Sequence, residues 1–163
     1  MLYKTILCAT DGHEHSERAM RRAASIARET GAELHVVNVE ETEPAPMRTG
    51  REYVAAERAE TRERVKKQIS AAVAGDRPVT ATPHYLVNYS GSVAAQIAGL
   101  ADRIDADLIV VGSHGRGVLT GALAGSVAQR LPHETCRPVL VLAGDGPGAR
   151  RPSRQRIRQA LHV

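Results

Sequence analysis

Two short stretches of this chain carry residue types that do chemistry together. Thr10-Asp11-Gly12 follows one apolar run, and a glycine-rich segment follows another, reading Gly112-Ser113-His114-Gly115-Arg116-Gly117-Val118-Leu119-Thr120-Gly121-Ala122-Leu123-Ala124-Gly125-Ser126. Main-chain amides exposed in such a loop, with a helix N-terminus behind them, form an anion site, and glycine lets the backbone approach a phosphate closely. Ser126 can cap the following helix or bond a phosphate oxygen. A Walker A loop is excluded, because Gly117 is followed by Val118 and Gly125 directly by Ser126, which leaves no phosphate-binding lysine. A dinucleotide fingerprint is excluded too: Asp11-Gly12-His13 stands after the first run, and Thr120 replaces the third glycine after Gly115-Arg116-Gly117.

Other residues carry weaker signals. Asp11 before Gly12 also has the form of a simple Asp-Gly turn. His13 and His15 lie in a polar turn with no third ligand at metal spacing, and read as solvated histidines. His114 is either a phosphate contact or an exposed spacer. Cys8 and Cys136 match neither a disulfide framework nor a paired zinc motif, and are expected to be reduced, packed thiols.

These residues must be positioned by elements that alternate between short β-rich runs and longer helical stretches, the pattern of a parallel sheet covered by helices on both faces. Lys4 to Ala9 is the first strand. Ser16 is placed to cap a helix whose Ala19, Met20, Ala23, Ala24 and Ala27 share one face and which stops at Gly31. Glu33 to Val39 is the second strand. Residues 41 to 51 read as loop, and a charged helix runs from there to about Ala74 with Val65, Ile69, Ala72 and Val73 at helical spacing. Thr80 to Val87 is the third strand, and Pro83 places it at a sheet edge, since proline cannot donate to the ladder. A third helix presents Val93, Ile97, Leu100, Ala101 and Ile104 on one face. Leu108 to Val111 and Pro138 to Leu142, both continuously apolar, are strands buried on two faces. Right-handed crossovers and an edge third strand predict an α/β fold: a single open five-stranded parallel sheet of order 3-2-1-4-5, flavodoxin-like or Rossmann-like. Its switch point falls between strands 1 and 4, where Asp11 and Gly112 emerge.

With 163 residues and 42% hydrophobic content the chain can bury one core. Four tyrosines are its only aromatic residues, too few for a stacking platform for single-stranded nucleic acid. The net charge of +4 is the contribution of the last 19 residues alone, where Arg150, Arg151, Arg154, Arg156 and Arg158 face Asp145. Polyanion affinity is therefore expected of the tail and not of the fold. The expected organisation is one domain over residues 1–143 and a basic tail over 144–163. No run is long and apolar enough for a membrane span, and the start lacks a signal-peptide layout, so a cytoplasmic protein is expected.

The spacing Gly112-(two residues)-Gly115-(nine residues)-Gly125-Ser126, set between a buried strand and a helix, resembles the ATP-binding form of the universal stress protein family. Ile6-Leu7-Cys8-Ala9-Thr10-Asp11-Gly12 and Leu34-His35-Val36-Val37 are similar to that family as well, and the resemblance covers about residues 2–143. It implies that Asp11 and the backbone at Val36 contact the adenosine part, that Gly112 and Gly115 lie along ribose and phosphates, and that Gly125 and Ser126 hold the phosphates. With no lysine in the loop, Mg²⁺ is expected to arrive with ATP and share its charge. The resemblance also implies a homodimer paired through the last strand, Val139 to Leu142. No activated nucleophile stands out, so the expected role is a nucleotide-dependent switch or sensor in a stress response, acting on an unidentified signalling protein, with at most slow ATP hydrolysis. The competing expectation is a nucleotide-independent dimeric interaction module whose basic tail binds a partner or a polyanion.

Overall fold

Apolar residues on both sides of the central strands require cover on each face, and the chain supplies it with helices on both sides. The last strand, expected to be buried on two faces, is only partly buried because it lies at a sheet edge, with Val141 39% exposed. A computed structural model describes residues 3–41, 50–89, 91–113 and 126–142. The elements are β1 (Thr5–Ala9), α1 (Glu14–Thr30), β2 (Glu33–Glu41), α2 (Gly50–Val73), β3 (Ala81–Asn88), α3 (Val93–Arg103), β4 (Leu108–Gly112), α4 (Ser126–Glu134) and β5 (Val139–Leu142). The strands form one five-stranded sheet in the order β3-β2-β1-β4-β5, and every pairing is parallel. This is the order predicted from the position of Pro83, which pairs with Val36 on the outermost strand. At an edge, its missing N–H breaks no ladder.

Strand alternation divides the core in two. Ile6, Cys8, Leu34 and Val36 pack with Met20, Ala23, Ala24 and Ala27 of α1 and with Val65, Ile69 and Ala72 of α2. Leu7, Val37, Ile109 and Val111 face Ile97, Leu100 and Ala101 of α3 and Leu131 of α4. Cys8 is fully buried as predicted, but Cys136 is exposed, so the expectation of two packed thiols holds for the first alone.

The start of α1 differs from the local sequence pattern. The helix begins at Glu14 with His13 in the cap position, and no side chain caps it there. Ser16 sits inside the first turn, and its hydroxyl lies 2.7 Å from both the His13 carbonyl and the Thr10 hydroxyl. A tertiary partner on β1 thus claims the residue that local rules assign to the cap. The other end follows the rules: Gly31 adopts φ +72° and its N–H returns to the Ala27 carbonyl.

Side-chain clamps close the amino edge of the sheet. The Asp107 carboxylate accepts the Lys4 and Thr5 amides at 2.7 and 2.9 Å, which holds its pKa below the ordinary value. Arg137 reaches Asp102, Asp105 and the Ala106 carbonyl. Arg28 of α1 donates to the carbonyls of Ala72, Val73 and Ala74, anchoring the C-terminal end of α2. The loop expected over residues 41–51 is shorter at both ends, because Glu41 still pairs with Asn88 in the sheet and Gly50 and Arg51 already belong to α2. Residues 42–49 and the basic tail lie outside the described residues.

Candidate functional site

The last paired positions of the two central strands are Cys8 on β1 and Val110 on β4, so Asp11 and Gly112 emerge next to each other at the carboxyl edge. This is the switch point, since β1 connects outward to β2 and β4 outward to β5. Asp11 is half-buried. Its Oδ1 accepts the His13 N–H at 3.0 Å, whereas its Oδ2 is buried and has no hydrogen-bond partner among the described residues. A buried carboxylate oxygen without a donor is costly, and its usual explanation is an absent donor such as a ligand hydroxyl, an amino group or a water.

Asp11 is held from behind by a set of polar side chains. Thr10 donates its N–H to the Val37 carbonyl at 2.9 Å, the last main-chain bond between β1 and β2. Asn38 donates its side-chain amide to the Thr10 carbonyl at 2.9 Å, and the Thr10 hydroxyl accepts the Gly12 N–H at 3.1 Å. Gln68 of α2 bonds the Thr10 hydroxyl at 3.0 Å and donates to the His13 carbonyl at 2.9 Å. Gly12 itself adopts φ +76°, a turn conformation that favours glycine, and a Cβ there would meet Thr61 and Val65 of α2 at 3.4 Å.

Sequence reading missed this set, although Asn38 is a visible signal, being an amide inside the apolar run from Leu34 to Val39. Gln68 gives no such signal, because it lies on a helix rich in charged residues.

The other expected site residues fall in different places. Gly112 ends β4 opposite Leu142, and the Ser113 amide donates to the Leu142 carbonyl at 2.7 Å. Ser126 is the first residue of α4 and is exposed. Gly115 and Gly125, with His114 and Arg116, lie outside the described residues. Val36 is fully buried and paired on both sides, with Cys8 and with Pro83, well inside the sheet.

Two further arrangements were not visible in the sequence. His35 and His84 stack with ring centroids 5.2 Å apart, and Nδ1 of the first lies 2.9 Å from Nε2 of the second. Burial, then the His35 ring, then Arg103 lower the pKa of His84. On the opposite face, a shallow groove of about 460 Å³ runs between α1 and α2, bordered by Gly12, Glu17, Arg21, Arg64 and Lys67. Among the described residues no group of three or more His, Cys, Asp or Glu side chains is arranged to hold a metal ion, and no helix is long and apolar enough to cross a membrane.

The sequence pattern of the universal stress protein family matches residues 2–143. The chain belongs to the universal stress protein family. A universal stress protein from Thermus aquaticus, encoded in the QAH/OAS sulfhydrylase 3′ region, is 33% identical over 142 residues, covering 86% of this chain and 99% of that relative. A universal stress protein solved in complex with cAMP aligns with a TM-score of 0.58 at 27% identity, over 86% of this chain and 97% of the other. A universal stress protein from Archaeoglobus fulgidus, solved in complex with dAMP, aligns with a TM-score of 0.55 at 26% identity, over 86% and 98%. The five-stranded order and the helices on both faces of this universal stress protein are the expected architecture.

Proposed function

We propose that this universal stress protein binds an adenine nucleotide at the carboxyl edge between β1 and β4 and acts as a nucleotide-dependent switch. The observation that carries the reading is the buried, unpartnered Oδ2 of Asp11 at the switch point. A ribose hydroxyl or an adenine amino group is a donor of the right kind for it. Two relatives solved with cAMP and with dAMP support an adenine nucleotide as the ligand class.

In this reading Gly112 and Gly115 lie along the ribose and phosphates, and Gly125 and Ser126 hold the phosphates at the start of α4. The exposure of Ser126 suits a hydroxyl reserved for a ligand. The contact from β2 moves outward from Val36. Beyond Val37 the β1–β2 ladder has ended, and alternation turns the main chain of Val39 to the same side as that of Val37. Val39 is therefore the β2 residue whose backbone meets the base. ATP would bring Mg²⁺ on its own phosphates, with Ser126 a described hydroxyl on the expected phosphate path, because the described side chains offer no ligand set of their own.

The switch acts on a partner protein and works from a homodimer. β5 supports the second point, since among the described residues it pairs with β4 alone, and Val141 is 39% exposed there.

Purification without added nucleotide, followed by denaturation and mass spectrometry of what is released, tests the reading. An adenine nucleotide near one per chain is the expected result. A folded protein that releases none and also takes up none from added Mg-ATP, AMP or cAMP contradicts it.

A further inference from the structure

We propose that Gln68 is a positioning residue for Asp11 and that it makes α2 the element that responds to an occupied site. The proposal rests on the nucleotide reading above and goes further, by assigning the path along which occupancy leaves the crevice.

The geometry is specific. Gln68 straddles the Asp11-Gly12 turn, with Oε1 3.0 Å from the hydroxyl of Thr10 just before it and Nε2 2.9 Å from the carbonyl of His13 just after it. A carbonyl can only accept, so the amide nitrogen must face His13, and Oε1 must then take the Thr10 proton. Ser16 is left to donate either to Thr10 or to His13, each 2.7 Å away. Thr10 has given its single proton to Gln68 and cannot donate to Ser16, and the one Ser16 hydroxyl proton serves only one of its two 2.7 Å contacts, so the part of the set with a fixed direction runs Thr10 to Gln68 and Gln68 to His13. Whichever way the Ser16 hydroxyl turns, the His13 carbonyl has two donors, Nε2 of Gln68 and the Ser16 amide at 3.1 Å. The path from Thr10 through Gln68 to His13 has one direction, and Gln68 is its link to α2.

The same turn is bonded to Asp11 directly, since His13 donates its N–H to Oδ1. Taking up a donor at Oδ2 therefore fixes the carboxylate, the His13 peptide and, through its carbonyl, the Gln68 amide. Packing reinforces this path, because Thr61 and Val65 of α2 stand 3.4 Å from the Cβ position of Gly12.

α2 is built to respond. Its C-terminal end is fixed by Arg28, and its buried residues are Thr61, Val65, Ile69 and Ala72, while none of residues 53–60 is buried. Arg58 and Arg62 of this helix pair with Glu40, at the carboxyl end of β2. An element anchored at its C-terminal end, clasped by Gln68 beside that anchor and packed on the turn through Thr61 and Val65 passes a change at the clasp along residues 61–72.

Hydrogen exchange of the full chain, free and saturated with Mg-ATP or AMP, tests the proposal. Wild-type protein should show exchange in residues 61–72 slowed about tenfold by nucleotide, a factor typical of coupled sites. In Gln68→Glu, whose second carboxylate oxygen replaces the donor to His13, the slowing at β4 should persist at saturation while that at α2 is lost. Gln68→Met, similar in length and uncharged, should behave the same way and keeps the test open where the acidic variant fails to fold. Protection at β4 without any change at α2 in the wild type, or an α2 response retained in the variants, overturns the role of Gln68 and leaves the nucleotide reading standing. A wild-type protein that binds neither probe overturns both.

Discussion

Asn38 on β2 donates its side-chain amide to the main-chain carbonyl of Thr10 at 2.9 Å, tying the ends of the two strands together one residue before Asp11. The bond does in side-chain form what the ladder would do if β1 continued. Asn38 is buried and its Oδ1 has no partner among the described residues, so the residue adds one bond and costs one stranded acceptor. Asn38→Leu removes both and should lower stability by about 1 kcal/mol. Asn38→Asp sets a carboxylate against a carbonyl in a buried place and should cost about 3 kcal/mol at neutral pH. Urea denaturation midpoints give the comparison, and an aspartate variant as stable as the wild type would show that this bond does not hold the strand ends.

The stacked His35–His84 pair joins β2 to the edge strand β3 and predicts acid sensitivity. A hydrogen bond between two rings needs at least one neutral ring, and His84 faces burial, the His35 ring and the Arg103 guanidinium, all of which oppose its protonation. Glu33, 3.7 Å from the far nitrogen of His35, is highly exposed and offsets little. The folded-state pKa of His84 lies below its ordinary value of 6.5. The unfolded chain therefore binds the proton first as pH falls, and stability that is full above about pH 6.5 is lost as pH drops toward the lower folded value. Melting temperatures measured between pH 7.5 and 5 should fall in the wild type and fall less in His84→Gln. Parallel curves for the two proteins would remove the pair from the explanation.

The two thiols should differ sharply in reactivity. Burial pushes the Cys8 thiol up to about 12, and it sits in the core against α1, whereas Cys136 is exposed at the turn before β5. A thiolate-selective reagent should modify one cysteine per native chain, identified as Cys136 by peptide mapping, and reach Cys8 only on unfolding. Equal rates at the two positions would mean that the β1 core opens in the native state.

How much of this could be read from the chain depended on whether the signal was local. Pro83 revealed the edge strand and thereby the strand order, because a missing N–H has one physical consequence in any sheet. Asp11 and Gly112 were legible as neighbours for the same reason, once the switch point was fixed. Ser16 misled, because a cap rule reads neighbours in sequence while the hydroxyl found Thr10 in space. The His35–His84 contact joins positions 49 apart and depends on the register of two strands. Val36 illustrates the same difficulty: its run of apolar neighbours does not show how far a residue lies from the carboxyl edge, and only pairing with Cys8 and Pro83 places it deep in the sheet.

The open edge of β5 predicts the assembly. Val141 is 39% exposed at the centre of the strand, in the position where pairing with a second copy would cover it. Val141→Lys should shift the protein from dimer to monomer in light scattering at micromolar concentration, without loss of the fold by circular dichroism. A dimer unchanged by the substitution would place the contact elsewhere.

The central claim is that Asp11 receives a nucleotide donor at the switch point. Asp11→Asn tests it most directly, because the side chain keeps its size and its acceptor for the His13 amide while the unpartnered Oδ2 is replaced by an NH₂ group. Calorimetric titration with Mg-ATP should show saturable binding to the wild type and a loss of about 2 kcal/mol in the variant, about thirtyfold in affinity, the usual scale for a hydrogen bond to a charged group. Equal affinity in the two proteins would contradict the assignment of the site.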